Sequence, residues 1–90
     1  MSTLADSLIQ QLNPFGTNES TALAEMAHKI SILAQQVKNH EITIDEFQEL
    51  SDDLEALKES AADADEVKNV EAINTIFNQL VTVLTAVSKI

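Results

Sequence analysis

Apolar residues along this chain recur at alternating steps of three and four, in three separate stretches. Leu23, Met26, Ile30, Leu33 and Val37 form one series. Phe47, Leu50, Leu54, Leu57 and Ala61 form a second, and Val70, Ile73, Phe77, Leu80, Leu84 and Val87 a third. On a helix of about 3.6 residues per turn each series collapses onto one stripe, the a/d seam of a heptad. The three series predict helices over about 19–39, 44–60 and 64–89. A parallel row, Ile76, Val83 and Ile90, widens the apolar face of the last. Ahead of them Leu4, Leu8, Ile9 and Leu12 share one face of a short first helix over about 3–12, and Phe15 extends that patch. A helix this short is not stable alone in water, so it must dock on its own bundle or on another molecule.

Breakers divide the chain unevenly. Asn13-Pro14-Phe15-Gly16 carries the only Pro and the only Gly, setting a first segment, 1–16, apart from a bundle over 17–90. Between the last two helices, Ser60-Ala61-Ala62-Asp63-Ala64-Asp65 has neither, which leaves a single continuous helix as an alternative. Helices with 3-4 seams and short connections pack antiparallel at crossings near 20°. The expected fold is therefore all-α, a small antiparallel helical bundle of three main helices plus a short N-terminal one.

Composition narrows the functions available. With 90 residues the chain is one small domain, and folding buries only roughly 60–65% of its surface. The absence of cysteine excludes disulfides and thiolate metal sites. Met1-Ser2-Thr3 lacks the basic start of a signal peptide, and Asp6 interrupts the apolar run that follows, so a cytoplasmic location is the default. Fifteen acidic residues face five lysines and no arginine, for a net charge of −10. Direct nucleic-acid binding and attraction to an anionic membrane are both disfavoured, since each needs basic surface. A basic partner would be attracted over a Debye length or so.

The stretch NHEITIDEFQEL, residues 39–50, superficially reads like the back half of an EF-hand. Setting Ile42 at loop position 8 and Glu46 at position 12 puts Gln35 first, Val37 third and His40 where the loop requires Gly. Only Asn39 and Glu46 could then coordinate, too few for calcium. Helix capping accounts for the same letters. Thr43 as N-cap and Glu46 three residues on make a capping box, with Ile42 and Phe47 as its hydrophobic staple. Asp45 and Glu46 also favour the positive end of the helix dipole.

The longer run KNHEITIDEFQELSDDLEAL resembles the helix–turn–helix hairpins of short bacterial and phage-encoded modules of the short C-terminal domain (SHOCT) type. The resemblance covers about twenty residues, 38–57, and rests on the capping box. It departs at the turn, where Asn39-His40-Glu41 stands in place of the usual Gly. It implies an oligomerisation or packing hairpin with no catalytic residues, and a phage or prophage setting in which the protein would reside in the cytoplasm or in a virion.

Catalytic chemistry has little to work with. His28 falls mid-helix, and His40 near a helix C-terminus complements the dipole. Glu25-Met26-Ala27-His28 has the Glu-x-x-His spacing of di-iron bundles, but such a site needs a second copy and two further Glu. No phosphate loop, Ser elbow or zinc motif is present. Neither an enzyme nor a cofactor is expected.

Two features of charge remain. Twelve of the fifteen acids lie between Glu41 and Glu71, against only Lys58 and Lys68. Asp45, Asp52 and Glu59 recur every seven residues opposite the third helix's seam, with Glu49 beside them. By contrast, Ala72 to Ser88 holds no charge, and its polar positions are Asn74, Thr75, Asn78, Thr82 and Thr85. A surface helix normally carries charge on its outer face. Asn74, Asn78, Thr82 and Thr85 are therefore the expected contact with a protein partner, in a homo-oligomer or as a subunit of a larger complex. The two resulting expectations are a structural, assembly-type protein and, alternatively, an acidic inhibitor that occupies the basic groove of a nucleic-acid-handling enzyme, as anti-restriction and anti-CRISPR proteins do. The uncharged helix favours the first, the acidic face the second.

Overall fold

One long helix holds the others together. The computed structural model describes residues 4–17, 21–61 and 63–88. Its elements are α1 (Leu4–Gln10), a 3-10 helix (Asn13–Thr17), α2 (Thr21–Lys38), α3 (Ile44–Gln48), α4 (Leu50–Ser60) and α5 (Ala64–Ser88). Helix α5 packs against each of α1, α2, α3 and α4. No strand occurs among the described residues, and the fold is the all-α bundle that the periodicity predicts.

The core is apolar throughout: among the described residues no polar or charged side chain is buried. Phe47 of α3 meets Phe77 of α5 with ring centroids 5.0 Å apart and planes tilted by 33°. Ile30, Ala34, Phe47, Ile73, Leu80 and Leu84 are wholly inaccessible to solvent. Along α2 the deepest row runs through Leu23, Ala27, Ile30, Ala34 and Val37, whereas Leu33 is only partly buried. The seam is thus rotated from the one that large side chains alone mark. Small Ala27 and Ala34 are buried in the bundle, where a short side chain lets neighbouring elements approach α2 closely; Ala27 lies beside Leu12, Asn13 and Gly16. The side chain of Val87, the last seam member expected on α5, lies outside the described residues, as does Ile90.

Helix α1 turns differently from its expected orientation. Ala5, Leu8, Ile9 and Leu12 are buried in the shared core, and Leu4 is 64% exposed. After α1 the Asn-Pro-Phe-Gly segment does not open into a loop but tightens into the 3-10 helix, which lies along α2 with Phe15 packed on the core. Proline suits the first turn of such a helix because its missing N–H would have no partner there. An ion pair between Lys38, at the end of α2, and Asp6 ties α1 down at its side.

The helix ends explain the rest of the topology. At the close of α2 the His40 N–H donates to the Val37 carbonyl (3.0 Å) and the Glu41 N–H to the Gln36 carbonyl (2.7 Å). This is a Schellman motif, and His40 occupies its left-handed position at φ 62°. Thr43 then caps α3: its hydroxyl accepts from the Glu46 N–H at 3.2 Å, while the Glu46 carboxylate takes the Thr43 N–H, completing the capping box. The expected single helix over 44–60 is divided at Glu49 into α3 and α4. Phe47 and Leu50, on either side of that break, are both buried, Phe47 against Phe77 of α5. Helices α4 and α5 are separate rather than continuous. Ala61 is extended (ψ 128°), and the Asp63 carboxylate caps α5 by accepting from the Glu66 N–H at 2.8 Å.

Candidate functional site

Helix α5 is flanked unequally. On one side α4 runs beside its first half, and Ser51, Glu55, Lys58, Glu59, Glu71 and Asn74 border an open groove of about 580 Å³ floored by Leu54 and Val70. On the other side α1 covers part of the row marked by Ile76 and Val83. There Leu4, Leu8, Gln11, Gln79, Thr82 and Val83 enclose a hollow of about 400 Å³. Between these flanks lies an open strip of α5.

The residues expected to contact a partner lie on or beside that strip. Asn74, Asn78 and Thr82 are exposed, and Thr85 is half-buried. The threonine hydroxyls do not wait for water: Thr75 donates to the Glu71 carbonyl (3.0 Å), Thr82 to Asn78 (3.2 Å) and Thr85 to Val81 (2.6 Å). Covering them would orphan no hydroxyl donor, whereas the amides of Asn74, Asn78 and Gln79 would need partners in whatever covers the strip. What the strip then offers is methyl groups, amides and the half-covered apolar hollow, with Leu4 at its lip. The sequence pattern placed Leu4 in the core and so missed it as a surface feature; its signal was the second apolar row, too wide for one short helix to cover.

The acidic residues are distributed over two helices. Asp45 lies on α3, Asp52 and Glu59 on α4, Glu49 at the junction between them, and all four are exposed. Asp53 pairs with Lys29 of α2 across 3.2 Å, with both side chains more than half exposed. Such a pair contributes little to stability. Glu25, His28 and His40 are all exposed. No cluster of three or more His, Cys, Asp or Glu among the described residues is arranged to hold a metal ion. Glu46, the one EF-hand ligand of consequence, has its carboxylate turned back onto Thr43. No helix among the described residues is long and apolar enough to cross a membrane.

Comparison with family models, with curated proteins and with solved structures returns no match to this chain.

Proposed function

We propose that this protein is a non-enzymatic assembly module that docks onto protein through the uncharged face of α5 and the adjoining edge of α1. The observation that carries the reading is the contrast along α5. A protein of net charge −10 leaves seventeen consecutive residues, Ala72 to Ser88, without charge, and much of that stretch faces outward beside an apolar hollow. Solubility alone would favour charge there. The left-handed His40 supports the likeness to short bacterial and phage-type packing hairpins, because it occupies the turn position where those modules carry Gly. Residence in a phage particle or its assembly line belongs to the same proposal.

The test is a charge placed on the face. Thr82→Lys and Asn78→Lys should abolish association while leaving helicity intact, since burying an unpaired ammonium costs several kcal/mol. On an outward, unpartnered helix the same changes should alter stability by no more than about 0.5 kcal/mol. A parent that sediments alone and is indifferent to both substitutions defeats the reading.

A second reading rests on the other flank. Glu55 and Glu59 on α4 and Glu71 on α5 border one groove, and Asp45, Glu49, Asp52 and Glu59 are open to solvent. An acidic inhibitor of a basic, nucleic-acid-handling enzyme would use that surface. Its binding would weaken steeply with salt and be lost on combining Asp45→Asn, Asp52→Asn and Glu59→Gln. The assembly reading requires that this triple variant still associates.

A further inference from the structure

The chain changes support at Gln11. Before it, α1 leans chiefly on α5 and buries Ala5, Leu8 and Ile9. After it, the 3-10 helix lies along α2, and Leu12 borders a hollow shared with Ala27, His28 and Ser31 of that helix. The Gln11 N–H is divided between the Ser7 and Leu8 carbonyls, at 3.2 and 3.1 Å, so α1 is already unwinding there. Two short segments that rest on different helices and meet at one turn have the anatomy of a hinge. We propose that α1 is a strap that opens at Gln11 as a unit, and that its opening gates the docking face on α5. The inference rests on the assembly reading and supplies its regulation.

The strap is lightly held. Seven residues are too few to persist as a helix in water, so α1 is ordered only while it is docked. The ion pair from Asp6 to Lys38 of α2 adds to its packing on α5. Both of those side chains remain partly in water, so separating them costs less than breaking a fully buried pair. The rest of the core does not depend on the strap. Helices α2, α3 and α4 pack on α5 and on one another, and Phe47 meets Phe77 without passing through α1. The bundle therefore stays closed while α1 opens, which makes α1 a local unit of lower stability than the whole.

What the strap covers gives the opening its consequence. Leu8 of α1 and Val83 of α5 line one hollow together with Gln79 and Thr82 of the neutral strip. Closed, the strip shows a partner mainly amides and methyl groups, and Leu8 is buried. Open, Ala5, Leu8, Ile9 and the α5 surface they cover become accessible. That adds the apolar centre which a stable protein contact needs beside its polar rim.

The sequence has no cysteine, so one introduced thiol reports on one position. Ala5 and Ala34 are both buried, the first in the strap and the second on α2. In the full chain Ala5→Cys should react with iodoacetamide at least about tenfold faster than Ala34→Cys, which only unfolding of the bundle uncovers. Adding Thr43→Ala, which removes the cap of α3, should speed Ala34→Cys roughly fivefold and leave Ala5→Cys unchanged. Equal rates at the two positions, or a rise in both with Thr43→Ala, overturns the strap. Amide exchange of the unsubstituted chain guards against damage by either thiol. Leu8 to Gln11 should be protected at least about tenfold less than Ile76 to Leu80, and equal protection also overturns the strap. The gate is tested separately. Leu4 and Val83 border the hollow from α1 and α5, so a short bismaleimide joining Leu4→Cys to Val83→Cys holds the strap closed. The linked chain should sediment alone where the unlinked double variant associates. Association of the linked chain overturns the gate and leaves the assembly reading standing, whereas a parent that sediments alone removes both.

Discussion

Replacing His40 by glycine should make the protein more stable, although it deletes a whole side chain. His40 holds φ at 62°, where a β-carbon crowds the carbonyl that follows it. For an L-residue that conformation costs roughly 1–2 kcal/mol. Glycine removes the cost but enlarges the conformational freedom of the unfolded chain, which returns about 0.4–1 kcal/mol. The imidazole is exposed, so no buried packing is lost. The net gain is about 0.5–1 kcal/mol, equivalent to roughly 2–8 °C in Tm for a domain of this size. Far-UV circular dichroism during urea titration is the appropriate assay, because without Trp or Tyr the chain offers no strong intrinsic fluorescence. The midpoint should rise with no change in slope, and His40→Asn should fall between parent and glycine variant. A lower midpoint for His40→Gly would mean that the left-handed turn contributes no strain, and the assignment of the Schellman motif to this site would fail.

Other expectations follow from single contacts. Gly16→Ala should stabilise by about 0.5 kcal/mol by urea titration: its backbone has no positive φ and an added β-carbon meets nothing within 4 Å. Ala34→Leu should do the opposite, costing about 1–3 kcal/mol, since Ala34 is wholly buried at the α2 seam. Thr43→Ala should cost about 1 kcal/mol through loss of the cap, and the parent's helicity should be the same in EDTA and in millimolar calcium. A calcium-dependent gain in helix would return Glu46 to the role of ligand.

What could be read from the letters was whatever depends on neighbours within a turn or two. The heptad spacing located α2, α4 and α5, and the Thr43–Glu46 pair marked the start of α3, because helical periodicity and capping are local. Asp63 and Glu66 held the same kind of signal, a capping residue followed three later by Glu, and it decides the break before α5. The division at Glu49, the exposure of Leu4 and the depth of Ala27 and Ala34 depend on where a distant helix lies. Hydrophobicity scales favour Leu over Ala for the interior; close packing of neighbouring elements on α2 reversed that order at these positions. The neutral stretch on α5 was plain in the sequence, but its openness, and the hollow beside it, required α1 to be in place.

That α1, α2, α3 and α4 all lean on α5 has a consequence for how the protein comes into being. Helix α5 is the last of the described helices to leave the ribosome, and α1, its partner at the far end of the chain, is the first. Until α5 emerges, α2 can pack only against the 3-10 helix, α3 and α4, and the core lacks Ile73, Phe77, Leu80 and Leu84. The core can therefore close only once α5 has left the ribosome. Closure then joins segments some seventy residues apart in one step, which slows folding relative to bundles whose neighbours in sequence are neighbours in space. A ribosome-bound chain halted at Ala61 should accordingly be as sensitive to protease as an unfolded one.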